Sequence, residues 1–283
     1  MIFEHEIPEG SRLYFASSAK EKRNIEQKAS QLLEKSGFLE IVTPLFSYQQ
    51  HQSIGDDKEL ISVNDAQNHN MSIRADTTID AVRIITKRLG RNTTHRRWFY
   101  IQPVYRYPSF EQNQIGAEMI ASDDLKEALD MTLLILEKLD QQPLLQISNI
   151  KIPQLLSKSL QIPLDDFKHM RIDKLLSLNI EWLTELIYLQ DLEQIDRVMQ
   201  LVPKEIRAEL AKIKELAMAS SYRHSIIAPL YYTQMLYYDE LYFRLVKDNS
   251  TYAQGGRYIN EGVVSVGFAI YTDILIEEKE DNT

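Results

Sequence analysis

Gly255, Gly256, Arg257 and Tyr258 form a run whose residue types suggest ligand chemistry. Adjacent glycines carry no Cβ, so a backbone built from them can come close to a small ligand, and the ring and hydroxyl of Tyr258 could close one side of such a pocket. The same four residues fit a tight hairpin turn beside a buried tyrosine, and the run alone leaves both readings open. Other chemistries are not suggested. The six histidines, His5, His51, His69, His95, His169 and His224, include no His-x-x-x-His pair and no neighbouring carboxylate cluster of ligand type, so no metal is expected. There is no Gly-x-Ser-x-Gly elbow and no glycine-rich phosphate loop, and no cofactor is expected.

The elements that must position these residues follow from hydrophobic period and punctuation. A first helix is expected over about 18–36, with Ile25, Ala29, Leu32 and Leu33 on one face and Gly37 as its stop. A strand over 38–43 ends at Pro44. A second helix over about 78–89 puts Val82, Ile85 and Leu89 on one stripe, and Gly90 follows as a C′ glycine. Strands over 98–107 and 114–120, separated by the polar stretch 108–113, should pair antiparallel. Asp124 and Glu127 make a capping-box pattern opening a helix that ends near Leu139. A strand over 144–150 follows.

From 152 to 219 the sequence is helical, rich in Leu, Glu and Lys, and punctuated by Pro153, Pro163 and Pro203. It reads as a small helical insert between a first core part, 1–151, and a second, 220–283. In the second part, strands are expected from Pro229, then over 251–258 and 262–268, before a last helix near Tyr271. The class is α+β, an antiparallel sheet flanked by helices.

With 283 residues, 44% apolar and 26% charged, the chain can bury a sizeable core. It has no cysteine, which excludes disulfides and thiolate zinc sites. A net charge of −9 argues against nucleic-acid binding as its main work. The basic run from Lys87 to Arg97 reads as a solvated helix end and loop. No apolar run reaches the roughly 18 residues of a membrane span, and the opening residues lack the pattern of a signal peptide, so a cytoplasmic protein away from membranes is expected.

Several segments, in order, resemble the class II aminoacyl-tRNA synthetases. GFLEIVTPLF, from Gly37 to Phe46, is similar to motif 1, the helix and strand through which that family dimerises. SIRADTTIDAVRI, from Ser72 to Ile84, resembles the histidyl-branch segment that binds the histidine amino group, which places Asp76 and Thr78 at its contacts. FYIQPVYRYP followed by QIGAE resembles motif 2, with Arg106 at the family arginine and Gln114 and Glu118 at histidine-contacting positions. LYYT, from Leu230 to Thr233, and QGGRY, from Gln254 to Tyr258, resemble further pocket elements, and VGFAIYTDIL resembles motif 3.

The departures are as informative. Ile274 stands where motif 3 carries the arginine that binds ATP phosphates, and isoleucine cannot stabilise that charge. Ile227 and Leu230 stand where the histidyl enzymes carry a catalytic arginine and an aspartate, and Pro108 replaces a motif 2 glutamate. The chain ends soon after motif 3, so an anticodon-binding domain and tRNA recognition are not expected.

This combination resembles the regulatory subunit of ATP phosphoribosyltransferase, a histidyl-synthetase paralogue. The resemblance implies a chain that catalyses nothing, activates a short-form catalytic subunit, and contributes to feedback inhibition by histidine. It also implies a homodimer through motif 1 within a hetero-octamer of four regulatory and four catalytic chains. In that reading Asp76 and Glu118 could pair with an ammonium group, and Thr78 and Gln114 could hydrogen-bond. Tyr231, Tyr232 and Tyr258 could enclose an imidazole beside Gly255 and Gly256. Each has a structural alternative. Asp76 could cap a helix, Glu118 could be a satisfied strand carboxylate, Arg106 could hold a loop, and the tyrosines could be core. Two other functions remain: an interaction scaffold without a histidine pocket, and a residual histidine-activating enzyme.

Overall fold

Helix α1 (Ala16–Lys35) buries Ile25, Ala29 and Leu33, while Leu32 is half-buried at the edge of that stripe. It ends as a Schellman motif. Gly37 has φ +81°, Phe38 N–H donates to Leu33 O at 3.0 Å, and Gly37 N–H donates to Glu34 O at 3.0 Å. These details come from a computed structural model, which describes residues 6–48, 57–233, 235 and 237–281.

The strands are β1 (Leu39–Glu40), β2 (Phe46–Ser47), β3 (Ser62–Asn64), β4 (Asn70–Ile73), β5 (Arg97–Arg106), β6 (Phe110–Ile120), β7 (Leu144–Asn149), β8 (Ser225–Ile227), β9 (Tyr238–Lys247), β10 (Ser250–Asn260) and β11 (Val263–Tyr271). Among the described residues, eight of them form one sheet in the order β1-β5-β6-β11-β10-β9-β7-β8, and β2-β4-β3 form a small second sheet. The pairings inside the large sheet are antiparallel; its two edges, β1 on β5 and β8 on β7, are parallel.

Strand alternation splits the large sheet between two cores. Phe99, Ile115, Ala117, Phe243 and Leu245 join α1, α3 (Leu125–Lys138), α9 (Lys204–Ala219) and α10 (Thr272–Asp281) in one cluster. Their neighbours Tyr100, Tyr242 and Tyr258 face the other way. They join Ile79, Val82 and Ile85 of α2 (Thr78–Arg83) and its continuation in a second cluster. The second face is where polar residues gather.

The span 151–219 holds α4 (Lys151–Leu160), α5 (Leu164–Lys168), α6 (Ile172–Leu176), α7 (Glu181–Ile187), α8 (Ile195–Leu201) and α9. Its buried Leu156, Phe167, Leu186 and Ile213 belong to the same apolar cluster as Leu145 and Ile147 of β7.

Several expectations shift. The strand expected over 38–43 is regular only at β1. Beyond it Ile41 N–H still donates to Phe99 O at 2.8 Å, and at Thr43 side chains take over the backbone bonding: Gln102 Oε1 accepts from Thr43 N–H at 3.2 Å, and Arg74 Nη1 donates to Thr43 O at 3.0 Å. The polar stretch 108–113 is mostly strand, because Arg106 already pairs with Phe110. Helix α2 continues as π-helical turns over Ile84–Leu89, and Gly90 has φ −59° rather than a left-handed conformation. A Cβ there would lie 2.4 Å from Thr86 O, so close approach explains the glycine. The strand expected from Pro229 begins at Tyr238, and β8 lies upstream, paired parallel to β7. Gln234 and Leu236, within that expected strand, lie outside the described residues, as do His5 and His51. Asp248 and Asn249, with φ +48° and +65°, form the two-residue turn joining β9 to β10. Asp124 caps α3, accepting from Glu127 N–H at 3.2 Å.

Candidate functional site: a buried carboxylate cleft

Helix α2 lays its first turn over the polar face of the sheet, and a narrow cleft lies between them. Asp76, Thr78, Arg106 and Gln114 line it. Asp76 is buried, and its Oδ1 accepts from Ile79 N–H at 3.3 Å, so it holds the first helical turn as well as facing the cleft. Tyr237 OH donates to Asp76 Oδ2 at 3.4 Å. Gln114 Nε2 donates to Thr77 Oγ1 at 3.0 Å. Arg106 Nε donates to Ala75 O at 3.4 Å, and Nη1 lies 3.7 Å from Glu59 Oε2. The arginine thus holds a loop and pairs with a carboxylate at the cleft margin.

Glu118 lies fully buried, bonded among tyrosines. Its Oε2 accepts from Tyr258 OH at 2.6 Å and its Oε1 from Tyr100 OH at 3.1 Å. Thr78 Oγ1 is 3.1 Å from the Tyr100 hydroxyl, which links this network to the cleft wall. Burial pushes the Glu118 carboxyl up to about 8, against the opposing effect of the Tyr258 hydrogen bond. Burial also raises Asp76 to about 6, opposed by the Ile79 N–H and the charge of Arg106. Tyr258 and Tyr100 are held well above the usual phenol range, first by burial and then by the nearby Glu118 charge.

Gly255, Gly256 and Tyr258 sit within β10, so the hairpin-turn reading of this run does not hold. The close approach that the glycines permit is made by protein side chains. A Cβ on Gly256 would lie 2.6 Å from the Tyr238 ring, and one on Gly255 would lie 2.6 Å from the Phe243 ring. Tyr231 stacks on Tyr242 with ring centroids 5.6 Å apart, and Tyr232 packs among the core side chains. Tyr231, Tyr232, Gly255, Gly256, Glu118 and Tyr258 therefore back or flank the cleft rather than line it.

Sequence reasoning missed Gln112, Tyr237 and Tyr271 as lining residues, and it put Gln254 in a pocket segment without naming it as a contact. Two carried a signal. Gln112 precedes Gln114 by two on β6, and Gln254 precedes Gly256 by two on β10, so strand period places each on the polar face. Gln254 accepts from Tyr242 OH at 2.7 Å and donates to Tyr271 OH. With Tyr237 in place, the cleft leaves about 10 Å³ in which the centre of a water can move. That holds one water, whereas small-molecule pockets run from roughly 300 Å³ upward.

The three positions at which the resemblance places synthetase charges are packed. Ile227 and Leu230 are buried, and Ile274 is half-buried against the helix-side core. An uncompensated charge at Ile227 or Leu230 would carry a large desolvation cost. Beside Ile274, Asp273 accepts from Asn113 N–H at 2.7 Å and Nδ2 at 2.9 Å, and from Tyr14 OH, so it serves as an anchor for α10.

The histidyl-tRNA synthetase family model matches residues 12–275. The chain is 45% identical over 278 residues to the ATP phosphoribosyltransferase regulatory subunit of Wolinella succinogenes, covering 98% of this chain and 97% of that one. It is 39% identical over 277 residues to the regulatory subunit of Helicobacter hepaticus, covering 98% and 99%. Among solved structures, an ATP phosphoribosyltransferase regulatory subunit/histidyl-tRNA synthetase from Bacillus halodurans C superposes with a TM-score of 0.82 at 20% identity, covering 98% of this chain and 84% of that one. Apo histidyl-tRNA synthetase from S. aureus gives a TM-score of 0.69 at 20% identity, covering 98% and 74%. The structural likenesses show the class II synthetase fold. By its near full-length similarity to the two curated relatives, the chain belongs to the ATP phosphoribosyltransferase regulatory subunit family, built on the histidyl-tRNA synthetase fold.

Proposed function

We propose that this chain acts without catalysis of its own as the regulatory subunit of an ATP phosphoribosyltransferase, in the first step of histidine biosynthesis. The observation that carries the reading is near full-length similarity to two regulatory subunits. The apolar, packed Ile227, Leu230 and Ile274 support the loss of synthetase chemistry. Its partner is a short-form catalytic chain, which joins ATP to phosphoribosyl pyrophosphate and releases pyrophosphate. Histidine is the effector, and the cleft around Asp76, Thr78 and Gln114 is its site, with Glu118 and Tyr258 behind. Feedback requires histidine to bind two states of the complex unequally, a coupling of typically about 1–3 kcal/mol.

The assembly is a cytoplasmic hetero-octamer of four chains of each kind, containing regulatory dimers joined through motif 1. Exposed Leu39, Val42, Leu45 and Phe46 in that segment support the dimer. The helices over 152–219 form an insert in this reading, and tRNA is not a partner.

The test is phosphoribosyl transfer by the short catalytic subunit from the same cell, alone and with this chain, with and without histidine. Activity that appears on mixing and falls with histidine is the expected result. A competent catalytic subunit that this chain does not activate would sink the reading and leave a scaffold. Histidine-dependent ATP–pyrophosphate exchange by this chain alone would instead point to a residual enzyme.

A further inference from the structure

Arg244 on β9 is a half-buried cation for which the described residues supply no carboxylate. Its Nε and Nη2 both donate to Oε1 of buried Gln146, at 3.0 and 2.8 Å. Its guanidinium carbon lies 4.1 Å from the centroid of the Tyr231 ring. These neutral partners orient the guanidinium and leave its charge uncompensated. Alongside lies a cavity of about 490 Å³, lined by Arg244, His224, Lys247, Asn249 and Thr251. Asp248 also lines it, the one acidic residue there among the described residues. Its size falls within the roughly 300–1,000 Å³ of small-molecule pockets, and it shares no lining residue with the Asp76 cleft.

We propose that this cavity binds a phosphate-bearing small molecule, with Arg244 as its principal cation. The Nε–Nη2 edge of the guanidinium is already taken by Gln146, which leaves the Nη1–Nη2 edge to meet the oxygens of an anion. The polar groups that remain are contributed by β9, β10, their connecting turn and the residue before β8. That spread suits the several oxygens of a tetrahedral phosphate. In a chain of net charge −9, such a pocket is a local reversal of sign.

The experiment titrates inorganic phosphate, inorganic pyrophosphate and ATP separately into the full chain at fixed ionic strength, following backbone amides by NMR. Saturable shifts at His224, Lys247, Asn249 and Thr251 with at least one probe are expected. The probe that binds most tightly distinguishes a bare phosphate from a nucleotide as the source. Arg244→Gln should weaken that binding by roughly tenfold or more, while Lys126→Gln on α3 leaves it unchanged. Absence of saturable shifts with every probe, or equal affinity in Arg244→Gln, overturns the proposal. Thr251→Val, close in volume, covers the case in which the arginine variant does not fold: weaker binding is expected, and unchanged affinity overturns the site.

Discussion

Glu118 and Gly267 are register partners on β6 and β11, and a Cβ placed on Gly267 would lie 1.9 Å from Glu118 Oε2 and 2.8 Å from Ala117 O. The glycine leaves the space that the buried carboxylate occupies. Gly267→Ala should cost about 1–3 kcal/mol, the usual range for overpacking a filled interior. Urea unfolding measures this. With Glu118→Ala added, the combined loss should be smaller than the sum of the two single losses, and additive losses would place the strain on the Ala117 backbone.

The raised Glu118 carboxyl makes stability depend on pH. Between its ordinary value near 4.5 and its folded value of about 8, the native state holds a proton that the unfolded chain has released. Stability contributed by this group is complete below the window and is lost as pH rises through it. Glu118→Gln should flatten that slope, read as urea midpoints on both sides of the window. An unchanged slope would assign the dependence elsewhere.

In the proposed histidine site, Tyr237 is bonded to the carboxylate that an amino-acid ammonium would need. Tyr237→Phe removes a hydrogen bond of about 0.5–1.5 kcal/mol net, so histidine should bind up to about tenfold more tightly by calorimetry. Histidine affinity should also rise with pH through about 6 as Asp76 ionises. Equal affinities in wild type and variant would show that the phenol does not compete.

Glu118→Ala removes the carboxylate behind the cleft and tests the proposed histidine site in the assembled complex. Histidine should inhibit the variant complex less than the wild-type complex. Inhibition equal to wild type would move the effector to another site.

Val42 is 75% exposed in the motif 1 segment. Val42→Asp places a charge in the proposed dimer interface and should shift the chain from dimer to monomer in sedimentation, with folding retained. A dimer that survives would locate the interface on another surface.

The order of the main elements was legible because apolar period and punctuation act locally. Ile25, Ala29 and Leu33 recur at helical spacing, Gly37 supplies a left-handed stop, and Asp124 finds its acceptor role three residues away. The boundaries of β6 and β9 were less legible. A polar residue such as Gln112 is as able as an apolar one to pair its backbone, and Pro229, Tyr231, Tyr232 and Tyr237 precede the strand that they suggest.

The sequence by itself determined the α+β class and the synthetase kinship, since residue type and order carry both. Tertiary structure alone decided which polar side chains share a cleft. Gln114 and Gln254 meet through the long-range pairing of β6 and β10 with β11, Asp76 joins them from the connection before α2, and Tyr237 reaches Asp76 across 161 positions of chain. It also decided that Gly255 and Gly256 admit Phe243 and Tyr238 rather than opening the cleft. The physical reason is that missing Cβ atoms are visible in a sequence, whereas the neighbour that fills their space is set by register and packing.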